Sequence, residues 1–384
     1  MSNQGSILFT PKRLGKFTIA NRFMRSATWE ALADSDGNGS KKLFDLMENL
    51  SKGGVGLIVP GAVCCTKSGF GLIHQSGMYT TKHSEDWKPV VEKMHKNGSK
   101  VVFQVIHGGA ACTDRSLNGN NPPFVPTAFT KEQHELTNAE IEELIENFAN
   151  SAKLSYLAGA DGVQFHCAHG YLLSSFMSPA TNHRKDKWGE NRLRILEEII
   201  STTRARVPES FSFSIKFNVN DCVPGGITPH LASQYVGALK SKLDFFEISC
   251  GMEAKYIMRS NYNEDIAVRG VKKSDREMIK QQIMAAYSGV SFHEIYNFEG
   301  YKVLRKDHPE VHFALVGGNR VFSDMEHLVE REGVDVVSMA RPFICNPNLV
   351  NDFRDNKIDK SECISCGSCL FNVEKGIYCH LPRK

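Results

Sequence analysis

Eight short β-rich runs, each followed by a loop and a helical pattern, constrain this chain more than any other feature. They fall at 22–28, 55–59, 100–106, 162–166, 211–217, 245–249, 311–316 and 334–339. Such alternation is the mark of parallel strands joined by crossover helices. The clearest helix opens at Thr137-Asn138-Ala139-Glu140, a capping box in which Thr137 and Glu140 satisfy each other's amide donors. Its apolar residues Ile141, Leu144, Ile145, Phe148, Ala149 and Ala152 share one face, as packing on a sheet requires. An open doubly wound sheet shows similar alternation. Eight units favour closure, and the first βα turn carries no GxGxxG phosphate loop. The expected fold is α/β, a single (β/α)8 TIM barrel over 1–354 followed by a short Cys-rich extension over 355–384.

Charge narrows the partners. With 46 Lys+Arg against 43 Asp+Glu, there is no electrostatic case for nucleic acid or an anionic membrane, which leaves a small-molecule substrate. The N-terminus lacks the basic-then-apolar pattern of a signal peptide, and no apolar run reaches a membrane span. Eleven cysteines, an odd number, suit a reducing, cytoplasmic setting.

In a barrel the C-terminal strand ends form the active face, so the residues there carry the chemistry. The fourth run delivers His166, His169 and Tyr171 within six residues, two imidazoles to hold a carbonyl oxygen and a phenol to give up a proton. An HxxH pair also invites a zinc reading, but the metalloprotease motif is HExxH on a helix, and here the pair follows a strand. Gln104 ends the third run with an amide able to read a planar heterocycle, and Lys216 ends the fifth with a cation. The seventh run leads into Gly317-Gly318-Asn319 and the eighth into Ala340-Arg341, where backbone amides and a guanidinium suit a phosphate.

These residues, with Pro11-Lys12-Arg13-Leu14-Gly15, Asn21-Arg22-Phe23 and the long segment from His166 through Pro179 to Asn182, Arg184, Asp186 and Gly189, carry a resemblance. The chain resembles the Old Yellow Enzyme superfamily of flavin oxidoreductases over nearly its whole length. The resemblance implies a TIM barrel with noncovalently bound FMN that reduces activated alkenes by a ping-pong reaction with NAD(P)H. It further implies His166 and His169 as the carbonyl-binding pair and Tyr171 as proton donor. Gln104 and Lys216 would contact the flavin ring, Lys216 standing where many members have arginine. Thr28 would lie near flavin O4, Gly61 would leave room for the ring, and Gly318, Asn319, Ala340 and Arg341 would form the phosphate site.

The C-terminus adds Cys363-x2-Cys366-x2-Cys369-x9-Cys379. Its compact triplet suits three thiolates on an iron–sulfur cube (4Fe-4S) with a fourth from downstream. A four-thiolate zinc site and plain reduced thiols remain open. The segment is similar to that of the 2,4-dienoyl-CoA reductase and trimethylamine dehydrogenase branch. There the barrel is followed by flavin- and nicotinamide-binding domains that this sequence does not contain. Either NAD(P)H reduces the flavin directly, or a redox partner protein exchanges electrons through the cluster. The long segment 252–292 can serve as a lid or as a contact in a homo-oligomer. Three functions are therefore weighed: an ene-reductase, a flavin dehydrogenase or demethylase coupled to a partner, and a non-catalytic flavin-binding redox sensor. The His-His-Tyr set argues against the last.

Overall fold

The computed structural model describes residues 2–384 except 264, 265, 267, 270, 372, 374, 375 and 382–384. Eight parallel strands close on themselves: β1 (Phe23–Arg25), β2 (Leu57–Ile58), β3 (Lys100–Ile106), β4 (Gly162–Cys167), β5 (Ser212–Asn218), β6 (Phe245–Ser249), β7 (Phe313–Val316) and β8 (Val336–Met339). Each pairs with the next, and Val337 to Met339 of β8 pair back with Phe23 to Arg25 of β1. The barrel is thus shut without an exposed edge.

Alternation along the strands sorts side chains into two shells. Val101, Phe103 and Val105 of β3, Val163, Phe165 and Cys167 of β4, and Phe213, Ile215 and Phe217 of β5 pack in the large core shared with the helices. The intervening positions point to the barrel axis. At the N-terminal end Met24, Leu57, Val102, Phe245, Ala314 and Val336 form a separate apolar plug. A hairpin of Lys12–Leu14 and Phe17–Ile19 closes that end, adding Leu14, Phe17 and Ile19 to the same cluster. The capping box forms as expected: Glu140 N–H donates to Thr137 Oγ1 at 3.3 Å, and Thr137 N–H to Glu140 Oε2 at 2.7 Å. The helix runs Asn138–Leu157 and buries all six apolar residues of the expected face.

Several strands are shorter or shifted relative to the sequence reading. The first ends at Arg25 rather than at residue 28, for a local reason. The Arg25 guanidinium donates to Val59 O at 2.7 Å and Thr28 O at 3.2 Å, taking carbonyls that a longer ladder would use. The chain then leaves the sheet. A buried ion pair with Glu30 at 2.8 Å fixes this departure, and Glu30 also accepts the amide of Gly61 at 3.2 Å.

Asp335, just before β8, ties the closed end together. It pairs with Lys12 of the hairpin at 2.5 Å and with Arg305 at 2.7 Å, and accepts the amide of Phe313 at 2.9 Å. Burial opposes its charge, but the bonds from His312, Lys12 and Phe313 outweigh burial and hold the carboxyl far below the usual range. A lowered carboxyl stabilises the fold above the unfolded value near 4 and loses that contribution as pH falls. Asp335→Ala should therefore cost about 3–5 kcal/mol in urea unfolding at pH 7. The gap between wild type and variant should narrow below about pH 4. A constant gap down to pH 2 would show that the charge is not the cause.

The tail is packed onto the barrel. Lys360 pairs with Val321 as an antiparallel bridge, and Arg320 donates to Cys363 O at 2.7 Å. The segment between β6 and β7 folds beside it, with helices Ala254–Ile257 and Arg276–Tyr287. Ile283 and Tyr287 pack against Phe371 of the tail, and Ser260 Oγ donates to Cys366 O at 2.6 Å. Among the described residues no helix is long and apolar enough to cross a membrane.

Candidate active site

A cavity of about 470 Å³ opens at the C-terminal strand ends, within the usual range for small-molecule sites. Its floor is built by the inward positions of the strands, which turn from apolar to polar toward this end. Gln104, His166, Lys216 and Ser249 all reach it. The roof comes from Met252, Ile257, Met258, Ala286 and Tyr287 together with Leu370 and Phe371 of the tail. The segment expected to be a lid or an oligomer contact therefore covers the mouth.

His166, His169 and Tyr171 stand as a cluster of rings. Their centroids lie 5.1 Å apart for the two histidines, 5.0 Å for His166 and Tyr171, and 6.4 Å for His169 and Tyr171. The Ala168 amide donates to His166 Nδ1 at 3.3 Å. In the neutral ring that leaves the proton on Nε2. His169 sits in the left-handed region at φ 67°, its amide donating to Asn218 Oδ1 at 3.3 Å and its Nε2 lying 2.7 Å from Ser249 Oγ. Burial, with Lys216 nearby, holds both imidazoles well below their ordinary value, so both stay neutral. Burial, reinforced by Cys112 and Cys64, pushes the Tyr171 phenol up and keeps its proton in place.

Beneath them lies a buried charge network that was not anticipated. Lys216 Nζ donates to Ser26 Oγ at 2.8 Å and lies 3.6 Å from Glu247 Oε1. Ser26 and Ser338 donate to the same carboxylate oxygen at 2.7 and 2.8 Å. Desolvation lowers the lysine, and Glu247 works the other way. Gln104 Nε2 donates to Gln164 Oε1 at 2.6 Å. Glu247 Oε2 and Gln164 Nε2 are buried without a partner. The sequence did carry one signal: a glutamate at an inward position, between the apolar Phe246 and Ile248 of Phe245-Phe246-Glu247-Ile248-Ser249.

Thr28 lines the cavity with its hydroxyl donating to Ser26 O at 3.0 Å. Past the second strand Ala62, next to Gly61, lines the cavity. A Cβ on Gly61 would meet Val63 N at 2.6 Å, so the glycine is required by the backbone turn. The cavity continues past Val316, Ala340 and Arg341 into a smaller pocket walled by Gly317, Gly318, Asn319 and Ser365. Asn319 spends its side-chain amide on Leu315 O and Ser338 O, at 2.7 and 3.0 Å. Arg341 donates to Arg259 O and Ser365 O, at 3.2 and 3.1 Å, and so borders cavity and tail at once.

Cys363, Cys366, Cys369 and Cys379 surround one small space of about 20 Å³ that Arg341 also touches. Cys345, on the short helix Arg341–Cys345, meets Cys379 in a hydrogen bond and is a fifth thiol that spacing did not reveal. The thiols share a space without standing as a ligand set: among the described residues no three His, Cys, Asp or Glu side chains are placed to hold a metal ion.

An elongated cavity on the axis of a (β/α)8 barrel, polar at one end and opening on a glycine turn and an arginine at the other, is the layout of a barrel oxidoreductase. A profile described as the NADH:flavin oxidoreductase / NADH oxidase family matches residues 7–360. The chain belongs to that family, and with it to the Old Yellow Enzyme superfamily. It is 35% identical over 229 residues to the NADH oxidase of Thermoanaerobacter brockii, covering 58% of this chain and 35% of that protein. It is 25% identical over 391 residues to the 4,4'-dithiodibutanoate disulfide reductase of Rhodococcus erythropolis, covering 97% and 94% of the two chains. The structure of the old yellow enzyme homologue from Zymomonas mobilis superposes with a TM-score of 0.71 at 23% identity, covering 94% of this chain and 95% of that one.

Proposed function

We propose that the protein binds FMN and reduces an alkene conjugated to a carbonyl, with NAD(P)H as electron source and Tyr171 as proton donor. The observation that carries this is the meeting of two neutral imidazoles and a protonated phenol over one cavity. The cavity suits the cofactor chemically. A neutral amide (Gln104) and a buried ammonium (Lys216) would suit a ring's polar edge, and the glycine turn with Arg341 would hold a phosphate. FMN held there supplies the hydride that the alkene's β-carbon receives.

The chain's own residues do the rest. His166 and His169 donate to the carbonyl oxygen, where negative charge grows as the reaction proceeds. For His169 to donate from Nδ1, its Nε2 accepts from the Ser249 hydroxyl 2.7 Å away, which fixes that tautomer. Tyr171 protonates the α-carbon. Lys216 would offer a positive charge to the ring's polar edge, moderated by Glu247. As a compact ammonium it makes a single-point contact where arginine would make a fork.

Purified protein should be yellow and release FMN on denaturation. Arg341→Ala should weaken FMN more than riboflavin in fluorescence titrations, because the guanidinium acts on the phosphate. Equal losses for both ligands would overturn that assignment, and a wild type that binds neither would overturn the whole reading.

We further propose the tail 355–384 as a cofactor-binding extension of the barrel that closes on an iron–sulfur cluster. It is supported by four cysteines at cluster spacing around one space. Protein reconstituted anaerobically should hold about four irons per chain, and Cys366→Ala should hold none. Zinc in place of iron would favour the four-thiolate alternative. The dehydrogenase reading would gain if electrons passed to a partner through this tail but no enone were reduced.

A further inference from the structure

Glu247 stands inside the barrel beside the cation of the cavity floor. Lys216 and Glu247 are direct neighbours in the register of β5 and β6, and both are buried, at 5% and 0% exposure. Lys216 and Ser26 line the cavity, whereas Glu247 does not. The two charged side chains meet in two ways. Lys216 Nζ lies 3.6 Å from Glu247 Oε1, and the Ser26 hydroxyl links them, accepting from Nζ at 2.8 Å and donating to Oε1 at 2.7 Å. Ser338 of β8 donates to the same oxygen at 2.8 Å and holds the carboxylate from a third strand.

Among the described residues no other carboxylate pairs with Lys216. The other ionisable groups that act on it are Arg25 of β1, itself paired with Glu30 at 2.8 Å, and the two neutral imidazoles that follow from β4. Burial, the larger effect, and Arg25 pull the lysine toward its neutral form, and Glu247 opposes them. A buried ammonium without a partner gives up its proton. The carboxylate carries a cost of its own, because among the described residues its Oε2 meets no partner. A buried ion pair with an unpartnered oxygen adds little to stability, so its main consequence falls on the cavity that Lys216 lines.

We propose that Glu247 is a positioning residue for the flavin site, one that keeps Lys216 an ammonium and holds it, through Ser26, at the cavity floor. The proposal rests on the reading that FMN occupies the cavity. Glu247 touches no ligand and acts through Lys216. The carboxylate offsets part of the ammonium's field, but without it the field would vanish as the lysine lost its proton. A positive charge at the floor favours an electron-rich ring. The sixth strand thus serves both ends of the chemistry: Glu247 acts at the ring's polar edge, and Ser249, two residues on, acts on His169.

The test uses protein loaded with FMN and titrated with sulfite, whose addition to the ring is favoured by a neighbouring positive charge. Binding is read at equilibrium from the loss of the flavin's visible absorbance, without turnover, and each variant is compared with wild type at the same pH. At about pH 9 Glu247→Gln should bind sulfite about tenfold or more weakly, the scale of one charge lost near the ring. Its binding should recover as pH falls and Lys216 regains its proton, because a lysine with a lowered pKa is charged only below that value. The ring's two-electron potential should fall at about pH 9 too, each tenfold change in its equilibrium being about 30 mV. Glu247→Asp should stay near wild type. The double variant Lys216→Met/Glu247→Gln buries no charge of the pair, and should bind sulfite as weakly as Glu247→Gln does at about pH 9, with no recovery at lower pH. Tighter binding by Glu247→Gln at about pH 9 would show that the carboxylate only damps the charge. Wild-type binding in the double variant would show that the pair does not act on the ring. Either result would overturn the proposal while FMN binding stands, whereas protein that takes up no FMN would overturn the flavin reading and the proposal with it.

Discussion

Replacing Tyr171 by phenylalanine should slow enone reduction by about a hundred- to ten-thousand-fold, the usual worth of a positioned general acid. Reduction of the bound flavin by NAD(P)H should stay close to the wild-type rate. The division follows from where the proton is needed: no α-carbon awaits one until hydride has reached the substrate. Stopped-flow measurement of the two half-reactions separates them, and equal losses in both, or none in either, would end the proton-donor assignment. The pH dependence gives a second reading. Because burial, with Cys112 and Cys64, raises the phenol, its acid form persists above the ordinary tyrosine value of about 10. The enone step should show no loss attributable to Tyr171 until pH passes that value, and a fall centred near pH 8 would contradict the burial described above.

The second large effect concerns the oxyanion donors. His166→Ala and His169→Ala should each slow the enone step by about a hundred- to a thousand-fold, equivalent to about 2.7–4 kcal/mol of transition-state stabilisation. Since both imidazoles are held well below 6.5 by burial and Lys216, the step should have no acid limb near that value. Ser249→Ala should give a smaller loss, acting on His169 alone. Its effect should vanish in a His169→Ala background, because two changes in one hydrogen-bonded pair do not add. Full additivity would show that Ser249 acts elsewhere.

Much of the barrel was legible because its signal is local. Residues 100–106 and 245–249 are strands from end to end, as their β-rich runs suggest. The helix after Thr137 begins where its capping box places it. The first strand was misjudged because its end is decided by the Arg25 side chain capturing Val59 O and Thr28 O. Nothing within 22–28 reveals that event, since one of those carbonyls, that of Val59, lies just past β2. Much the same divides the site. His166, His169 and Tyr171 lie within six residues and could be read together. Lys216, whose charge together with burial keeps both imidazoles neutral, comes from β5, and its own partners come from the end of β1, from β6 and from β8. Ser26, Lys216, Glu247 and Ser338 meet only because the barrel closes. Parity along β6 could have flagged Glu247 as inward-facing, although not which oxygen would be left unpaired. Ala62, next to the Gly61 expected to leave room for the ring, is the residue that lines the cavity there. Chain order resolves such a site only to within a residue.

The roof has a thermodynamic consequence. Tyr287, Leu370 and Phe371 belong to segments some eighty residues apart, and both close the same cavity. Whatever occupies the cavity touches a surface that exists only while the tail is docked. By reciprocity, an occupant that favours the docked tail by some factor is itself bound more tightly by that same factor once docking is secured. A metal in the cysteine nest and a small molecule over the barrel would then strengthen each other's hold without ever touching. Loss of one would register as a weaker affinity for the other.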